Sequence, residues 1–511
     1  MNSEDRMMND EVKLGGRRRV CRFVVRHSAR IVLLAAVLAP LAPAVGQDEP
    51  PPPPGPSVEE PPPPPGPGAD EPPPPSGPGS PDEPPPPPGP QPTATTRPAQ
   101  PPRPFTELLG LTGFWEVRGG VRTQDDPYQK DASLGETRLH LDWEHNVERV
   151  TLKLSADLLY DAVADDCSVD LNTGEGCFDL RQANVTFTPA SFLDVKVGRQ
   201  ILTWGTGDLI FINDLFPKDW QSFLTGRDVE YLKAPSDALK LSLFSDLANV
   251  DLVYVPQFDP DRFVRGERLS YYGFMAQRTV GRDAVVDPRV PDTWFKNGEW
   301  HLRLSKNIQG YELAAYGYWG YWKSPGGMAP LAGKAVFPRL SVYGASARGQ
   351  VGRGIGNIEV GYYDSRQDRG GDNPFINNSQ FRFLVGYEQD LPELARDLSV
   401  GVQYYLEWMV DYDDYLRTFL PGGFPRADER RHVLTFRLTK LLLNQTLVLS
   451  LFAYYSPSDS DAYLRPAVTY KLSDHWTAEL GGNVFIGKDD HTFFGQFDRN
   501  SNVYTALRYS F

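Results

Sequence analysis

The chain has 511 residues, a formal net charge of −14, 40% hydrophobic residues and 3 cysteines, with a mean hydropathy of −0.42. Outside a short N-terminal run, no apolar stretch reaches the ~18 residues of a spanning helix, so a helical membrane bundle is excluded. The acidic balance argues against a nucleic-acid surface, and so few cysteines exclude a disulfide-dense scaffold.

Residues 1–46 read as an export leader. Arg17, Arg18, Arg19, Arg22, Arg26 and Arg30 precede an apolar run from Ile31 to Ala44 that Pro40 and Pro43 interrupt. Ala44-Val45-Gly46 supplies the small residues a signal peptidase needs, so cleavage is expected before Gln47, and Cys21 leaves with the leader.

Residues 47–104 form an acidic proline-rich arm. Its imperfect repeat starts at Asp48, Glu59, Asp70 and Asp82, each an acidic pair followed by a proline run. Such a segment has too few apolar side chains for a core, and is expected to be disordered and extended as polyproline II. It reads either as a stiff spacer or as a docking strip for a periplasmic protein or the cell wall.

From residue 105 onward the pattern becomes alternation with period two. Val150, Leu152, Leu154, Ala156, Leu158 and Tyr160 alternate with Thr151, Lys153, Ser155 and Asp157. Leu398, Val400, Val402, Tyr404, Leu406 and Trp408 alternate with Ser399, Gly401, Gln403 and Glu407. About eighteen such segments (16–18) are expected: 114–123, 136–145, 149–160, 178–188, 192–204, 237–245, 248–257, 297–306, 309–322, 336–348, 355–364, 378–389, 397–410, 430–442, 444–456, 462–472, 475–486 and 501–511. Short links at 145–148, 189–191, 246–247, 308–309, 443–444 and 473–474 alternate with long ones at 161–177, 205–236, 258–296, 411–429 and 487–500. That asymmetry predicts an all-β, closed antiparallel transmembrane barrel, with turns in the periplasm and loops outside. Closure satisfies every backbone donor and acceptor in lipid.

The last segment ends in Tyr509 and Phe511 on one face of an amphipathic strand, and so resembles the barrel-assembly signal of Gram-negative outer-membrane proteins. Outer-membrane lipid and the barrel-assembly machinery are then the expected partners. Trp143, Trp204, Trp319, Trp322, Trp408 and Trp476 lie near segment ends, as an interfacial girdle would, although aromatic side chains also favour strands generally.

With apolar side chains outward, the alternation points Arg118, Arg138, Lys153, Arg181, Arg382, Arg437, Arg465 and Arg508 into the lumen as candidate wall residues. Glu116, Asp157, Glu359, Glu407 and Glu479 join them. So many charges imply hydration, eighteen strands enclose more space than side chains fill, and the slight basic excess hints at anionic solutes. The link 206–235 is long and not purely polar. Leu209, Ile210, Phe211, Ile212, Leu215, Phe216, Trp220 and Phe223 need burial, which the lumen can supply; the outer rim or a partner could also supply it. Folded inward, Asp208, Asp214, Lys218, Asp219, Arg227, Asp228 and Glu230 become the candidate pore constriction.

Gly198-Arg199-Gln200 on a strand, the Trp204-Gly205 turn and the large barrel resemble large bacterial outer-membrane porins, including the alginate-export type. The resemblance covers residues 105–511 and implies inward-folding loops and a pore for hydrophilic solutes. The arm departs from it and keeps a second reading open, a structural or export-conduit barrel coupled to a periplasmic partner.

Cys167 and Cys177 share one long link in an oxidising compartment and are expected to form a disulfide. Asp165, Asp166, Asp170, Asn172 and Glu175 sit there too, without EF-hand spacing, and read as a solvated acidic loop. No GxSxG, HExxH, Walker A or CxxC pattern occurs, so no catalytic residue, metal or cofactor is expected.

Overall fold

The computed structural model describes residues 110–511 except 165, 166, 172, 175 and 421. The expected leader and arm lie outside the described residues, as do Asp165, Asp166, Asn172 and Glu175 of the acidic loop.

Alternating side chains build one antiparallel sheet of eighteen strands. In chain order the first nine are Leu111–Arg122, Ala132–Val147, Val150–Asp161, Phe178–Ala190, Leu193–Ile201, Pro235–Leu243, Asn249–Val255, Glu299–Ile308 and Tyr311–Tyr321. The rest are Arg339–Val351, Gly354–Ser365, Gln380–Asp390, Leu398–Met409, Arg430–Leu442, Leu447–Ser456, Asp461–Lys471, Trp476–Gly487 and Asn502–Ser510. Each overlaps one expected segment, with no end displaced by more than four residues. The first and last strands pair from Phe114 opposite Ser510 to Arg122 opposite Asn502, so the sheet closes into a barrel. Two small hairpins, Tyr271–Gly273 with Arg278–Val280 and Gly327–Ala329 with Lys334–Val336, decorate the long loops.

The two faces differ as the alternation requires. On the first strand Trp115, Val117 and Val121 are exposed, while Phe114, Glu116 and Arg118 are buried. Leu154, Leu158, Leu304, Val402, Leu480 and Leu507 continue an exposed apolar exterior around the barrel, the surface a hydrocarbon layer covers. Short turns such as residues 148–149 and 352–353 join strands at one end, and loops such as 202–234 and 256–298 rise from the other.

Two tryptophans do not belong to a girdle. The strand expected to reach residue 204 stops at Ile201, and Trp204 turns inward to pack on Phe216 with ring centroids 5.0 Å apart. Trp322, just past Tyr321, is 7% exposed and lies inside the barrel 5.8 Å from the Tyr363 ring. Period-two alternation holds only while the backbone stays in the sheet, so it says nothing about residues one step beyond a strand. Trp408, 40% exposed, does stand on the outer face.

The apolar core sits within the barrel, between loop and wall. Ile212, Phe223 and Leu232 of the long loop pack with Tyr363, Leu384, Tyr463 and Phe485 of the wall.

Candidate pore constriction

Loop 202–234 packs against side chains of the sheet, and its apolar residues dictate how. Ile212, Phe216 and Phe223 are 0%, 1% and 2% exposed, whereas Leu209, Ile210, Phe211, Leu215 and Trp220 are only partly buried against the same cluster. The wall is shaped to receive them. A β-carbon on Gly344 would collide with Asn213 Oδ1, and one on Gly361 would lie 2.6 Å from Ile212 Cγ2. Glycine at these lumen-facing positions lets the loop approach the sheet backbone.

The loop has two differently held halves. Residues 206–216 are gathered by one wall carboxylate, Glu359, itself 1% exposed. Its Oε2 accepts from Thr206 N (2.8 Å), Thr206 Oγ1 (3.1 Å) and Gly207 N (3.2 Å). Its Oε1 accepts from Asn213 N (2.8 Å) and Asn213 Nδ2 (3.0 Å). Tyr454 and Tyr363 hydroxyls donate to the carbonyls of Leu209 (2.8 Å) and Ile212 (2.5 Å). Gln403 grips the Asp208 backbone, accepting from its N–H at 2.7 Å and donating to its carbonyl at 2.8 Å. Arg437 closes a bidentate pair on the Asp208 carboxylate at 2.5 and 2.7 Å, with side chains 33% and 41% exposed.

Residues 218–234 are locked by buried charge instead. They carry the short helix Trp220–Thr225, capped by Asp219, whose carboxylate accepts from Ser222 N at 2.7 Å. Arg227 donates to Glu136 at 2.9 and 2.7 Å, and Arg268 from loop 256–298 reaches the same carboxylate at 3.1 Å. Arg262 spans Asp179 (2.8 Å) and Asp219 (3.3 Å). Arg508 bridges Glu116 (2.9 Å) and Asp228 (3.2 Å). Arg118 donates to the Gly226 carbonyl at 2.5 Å and Arg181 to the Lys233 carbonyl at 2.8 Å. Tyr231 lies between the Arg138 and Arg181 guanidiniums, 4.0 and 4.6 Å from its ring centroid.

All seven constriction candidates are therefore on the inward loop, with different surroundings. Asp208 faces the wall through Arg437. Asp214 and Lys218 pair with each other at 2.9 Å, both essentially buried. Asp219 and Arg227 belong to the ion-pair web, Asp228 touches its edge, and Glu230 is exposed. Although the residue as a whole is exposed, its carboxyl is partly shielded by the surrounding protein and, beside the Asp228 charge, is held above its ordinary value. All eight wall candidates point inward. Lys153 lies between Asp142 (3.7 Å) and Glu144 (3.5 Å). Arg382 sits over the Tyr363 ring at 4.0 Å, and Arg465 over Phe223 at 4.1 Å.

Most of these charges are matched by an opposite one, which the count of inward arginines could not reveal. Glu136, Arg262, Arg268 and Gln403 also hold the loop, but the chain positions they join are 91, 43 and 195 residues apart for Arg227–Glu136, Arg262–Asp219 and Gln403–Asp208. Alternation places Glu359 among the inward carboxylates but does not identify it as the anchor. Arg199 of the Gly198-Arg199-Gln200 step pairs bidentately with Asp237 on the next strand, at 3.0 and 2.9 Å.

Two cavities flank residues 206–216. The one toward the short turns has a volume of about 910 Å³ and is lined by Asp208, Gln403, Thr435 and Arg437. The one toward the long loops, about 1520 Å³, is lined by Leu209, Phe211, Tyr405 and Val433. Gln403 and Tyr405 are successive inward residues of one strand, as are Thr435 and Val433 of the next, so the partition is about one residue pair thick.

Cys167 and Cys177 are disulfide-bonded within loop 162–177. The carbonyl of Thr173 in that loop accepts from Arg262 Nε at 2.8 Å, which ties the stapled loop to the web. No group of His, Cys, Asp and Glu suited to a metal occurs among the described residues.

No family model matches the chain, and no curated protein matches its sequence. Among solved structures it is similar to OccAB4 of Acinetobacter baumannii, at 10% identity, covering 78% of this chain and 97% of that one, with a TM-score of 0.46. OccAB3 of Acinetobacter baumannii is also 10% identical, over 78% of this chain and 99% of that chain, with a TM-score of 0.44. OccK10 of Pseudomonas aeruginosa is 11% identical over 78% and 99%, with a TM-score of 0.40.

Proposed function

We propose that the chain is an outer-membrane channel for passive, size-limited passage of small water-soluble solutes. The observation that carries this reading is the thin partition 206–216, with a cavity on each side, inside a closed barrel whose exterior is apolar. A barrel with a purely anchoring role gains nothing from two solvent-sized chambers separated by one removable strap. Solutes would enter the chamber beneath the long loops, pass where residues 206–216 detach from the wall sector 354–456, and leave through the chamber above the short turns. On this reading residues 1–46 direct export, and residues 47–104 extend on the periplasmic side of a Gram-negative outer membrane.

Single-channel recording of the folded chain in a planar bilayer tests this. A stable conductance of porin size is expected. A folded, closed barrel that stays silent, and stays silent when Glu359→Gln loosens the partition, would overturn the channel.

A further inference from the structure

The larger chamber is not built like a sieve for ions. Its floor is the exposed side of the partition, where Leu209, Ile210, Phe211, Leu215 and Trp220 stay only partly buried, and Tyr271 of loop 256–298 faces them. Such a continuous apolar shelf, left open to a chamber of about 1520 Å³, is the kind of surface that marks a ligand site.

Five of the basic side chains around it are each paired with a carboxylate. Arg382 pairs with Glu407 (3.4 Å) and Arg431 with Asp459 (2.7 Å). Lys218 pairs with Asp214 (2.9 Å), Lys323 with Glu299 (2.7 Å) and Lys334 with Asp287 (2.7 Å). Arg426 instead lies over the Phe419 ring, 5.3 Å from its centroid. Over most of this lining an anionic ligand would have to compete with an internal carboxylate for its cation, whereas an uncharged one need not. Paired groups still offer hydrogen bonds at the rim of the shelf.

We infer that this chamber is a binding site for uncharged amphipathic solutes, molecules with an aromatic or aliphatic ring to lie on the 209–220 shelf and hydroxyl groups to meet its paired rim. This rests on the channel reading only for its purpose, since binding itself needs no conduction. The smaller chamber, with Asp208, Arg437, Glu388 and Asp390 in its lining, has no such shelf and takes the solute only in passing.

Isothermal titration of the full chain in lipid nanodiscs tests it, with phenyl β-glucoside, glucose, benzoate and benzylammonium as probes. Phenyl β-glucoside is expected to bind at least about tenfold more tightly than glucose, since ring burial is the main gain. It should also outbind benzoate and benzylammonium. Ile210→Ser with Phe211→Ser should lower its affinity about tenfold, while Phe211→Leu retains most of it. Tighter binding of either charged probe, equal binding of glucose, or affinity untouched by the paired serine variants would each overturn the inference. Recording the same preparations separates the two claims. Binding without conductance sinks the channel alone, and conductance without binding sinks this site alone.

Discussion

The two halves of the inward loop share one lumen and are held by opposite means. Residues 218–234 are tied by guanidinium–carboxylate pairs, Arg227 to Glu136 and Asp228 to Arg508, to strands on both sides of the barrel's closing seam, and by the buried Asp219–Arg262 pair to loop 256–298. Residues 206–216 lean on the facing sector through hydrogen bonds converging on Glu359 and through one half-exposed ion pair. A buried pair is costly to break from one side, because the remaining charge stays out of water. A hydrogen-bonded strap can detach if water replaces its partners. Residues 218–234 are therefore fixed wall, and residues 206–216 are the part that can yield.

The sharpest attempt to break this contrast is Glu136→Gln. It removes one of the two carboxylates that Arg227 and Arg268 share, leaving Asp161, and is expected to cost about 3 kcal/mol, read as a lowered urea midpoint for the barrel in lipid. If the midpoint stays where it was, the web is not what fixes residues 218–234.

Glu359→Gln sets an amide N–H₂ either against the N–H groups of Thr206 and Gly207 or against those of Asn213, since only one accepting oxygen remains. It is expected to cost about 1–3 kcal/mol and to raise single-channel conductance about twofold or more as the strap leaves the wall. Gly344→Val should act in the same direction by pushing Asn213 away. Unchanged conductance in both variants would mean that 206–216 does not limit passage.

Asp208→Asn removes a half-exposed pair, so its stability effect should stay below about 1 kcal/mol. The freed Arg437 at the partition should instead shift the reversal potential toward anions. A shift toward cations, or none, would show that this pair does not face the permeating ions.

The mildest effect is one of pH. Burial, helped by the Asp237 carboxylate and opposed by Lys323, raises the Asp259 carboxyl to about 7. The fold thus favours its neutral form, so stability is full below pH ~4, the ordinary carboxyl value, and declines as pH rises through about 7. Asp259→Asn should flatten that decline in urea midpoints measured between pH 4 and 8. A variant with the same slope as the parent would assign the pH dependence elsewhere.

Strands were legible because lipid outside and water inside impose alternation on residues such as Leu152, Lys153 and Leu154 without any knowledge of the partner strand. For the long loop, Ile212, Phe216 and Phe223 showed a need for burial that the lumen, the outer rim or a partner could each have met. What grips the loop was not legible. Arg508 meets Glu116 across 392 positions, a pairing that exists only once the barrel has closed. Trp204 and Trp322 misled for a related reason, since they lie where the sheet pattern stops and tertiary packing takes over.

The seam between Leu111–Arg122 and Asn502–Ser510 also imposes an order on assembly. Arg118 on one side of it holds the Gly226 carbonyl, and Arg508 on the other holds Asp228. The Arg118 grip can form while the sheet is half built, because its strand precedes the loop, but Asp228 must wait for the last strand. Closing the seam therefore adds the final anchor to residues 218–234 and seals the cylinder in a single event.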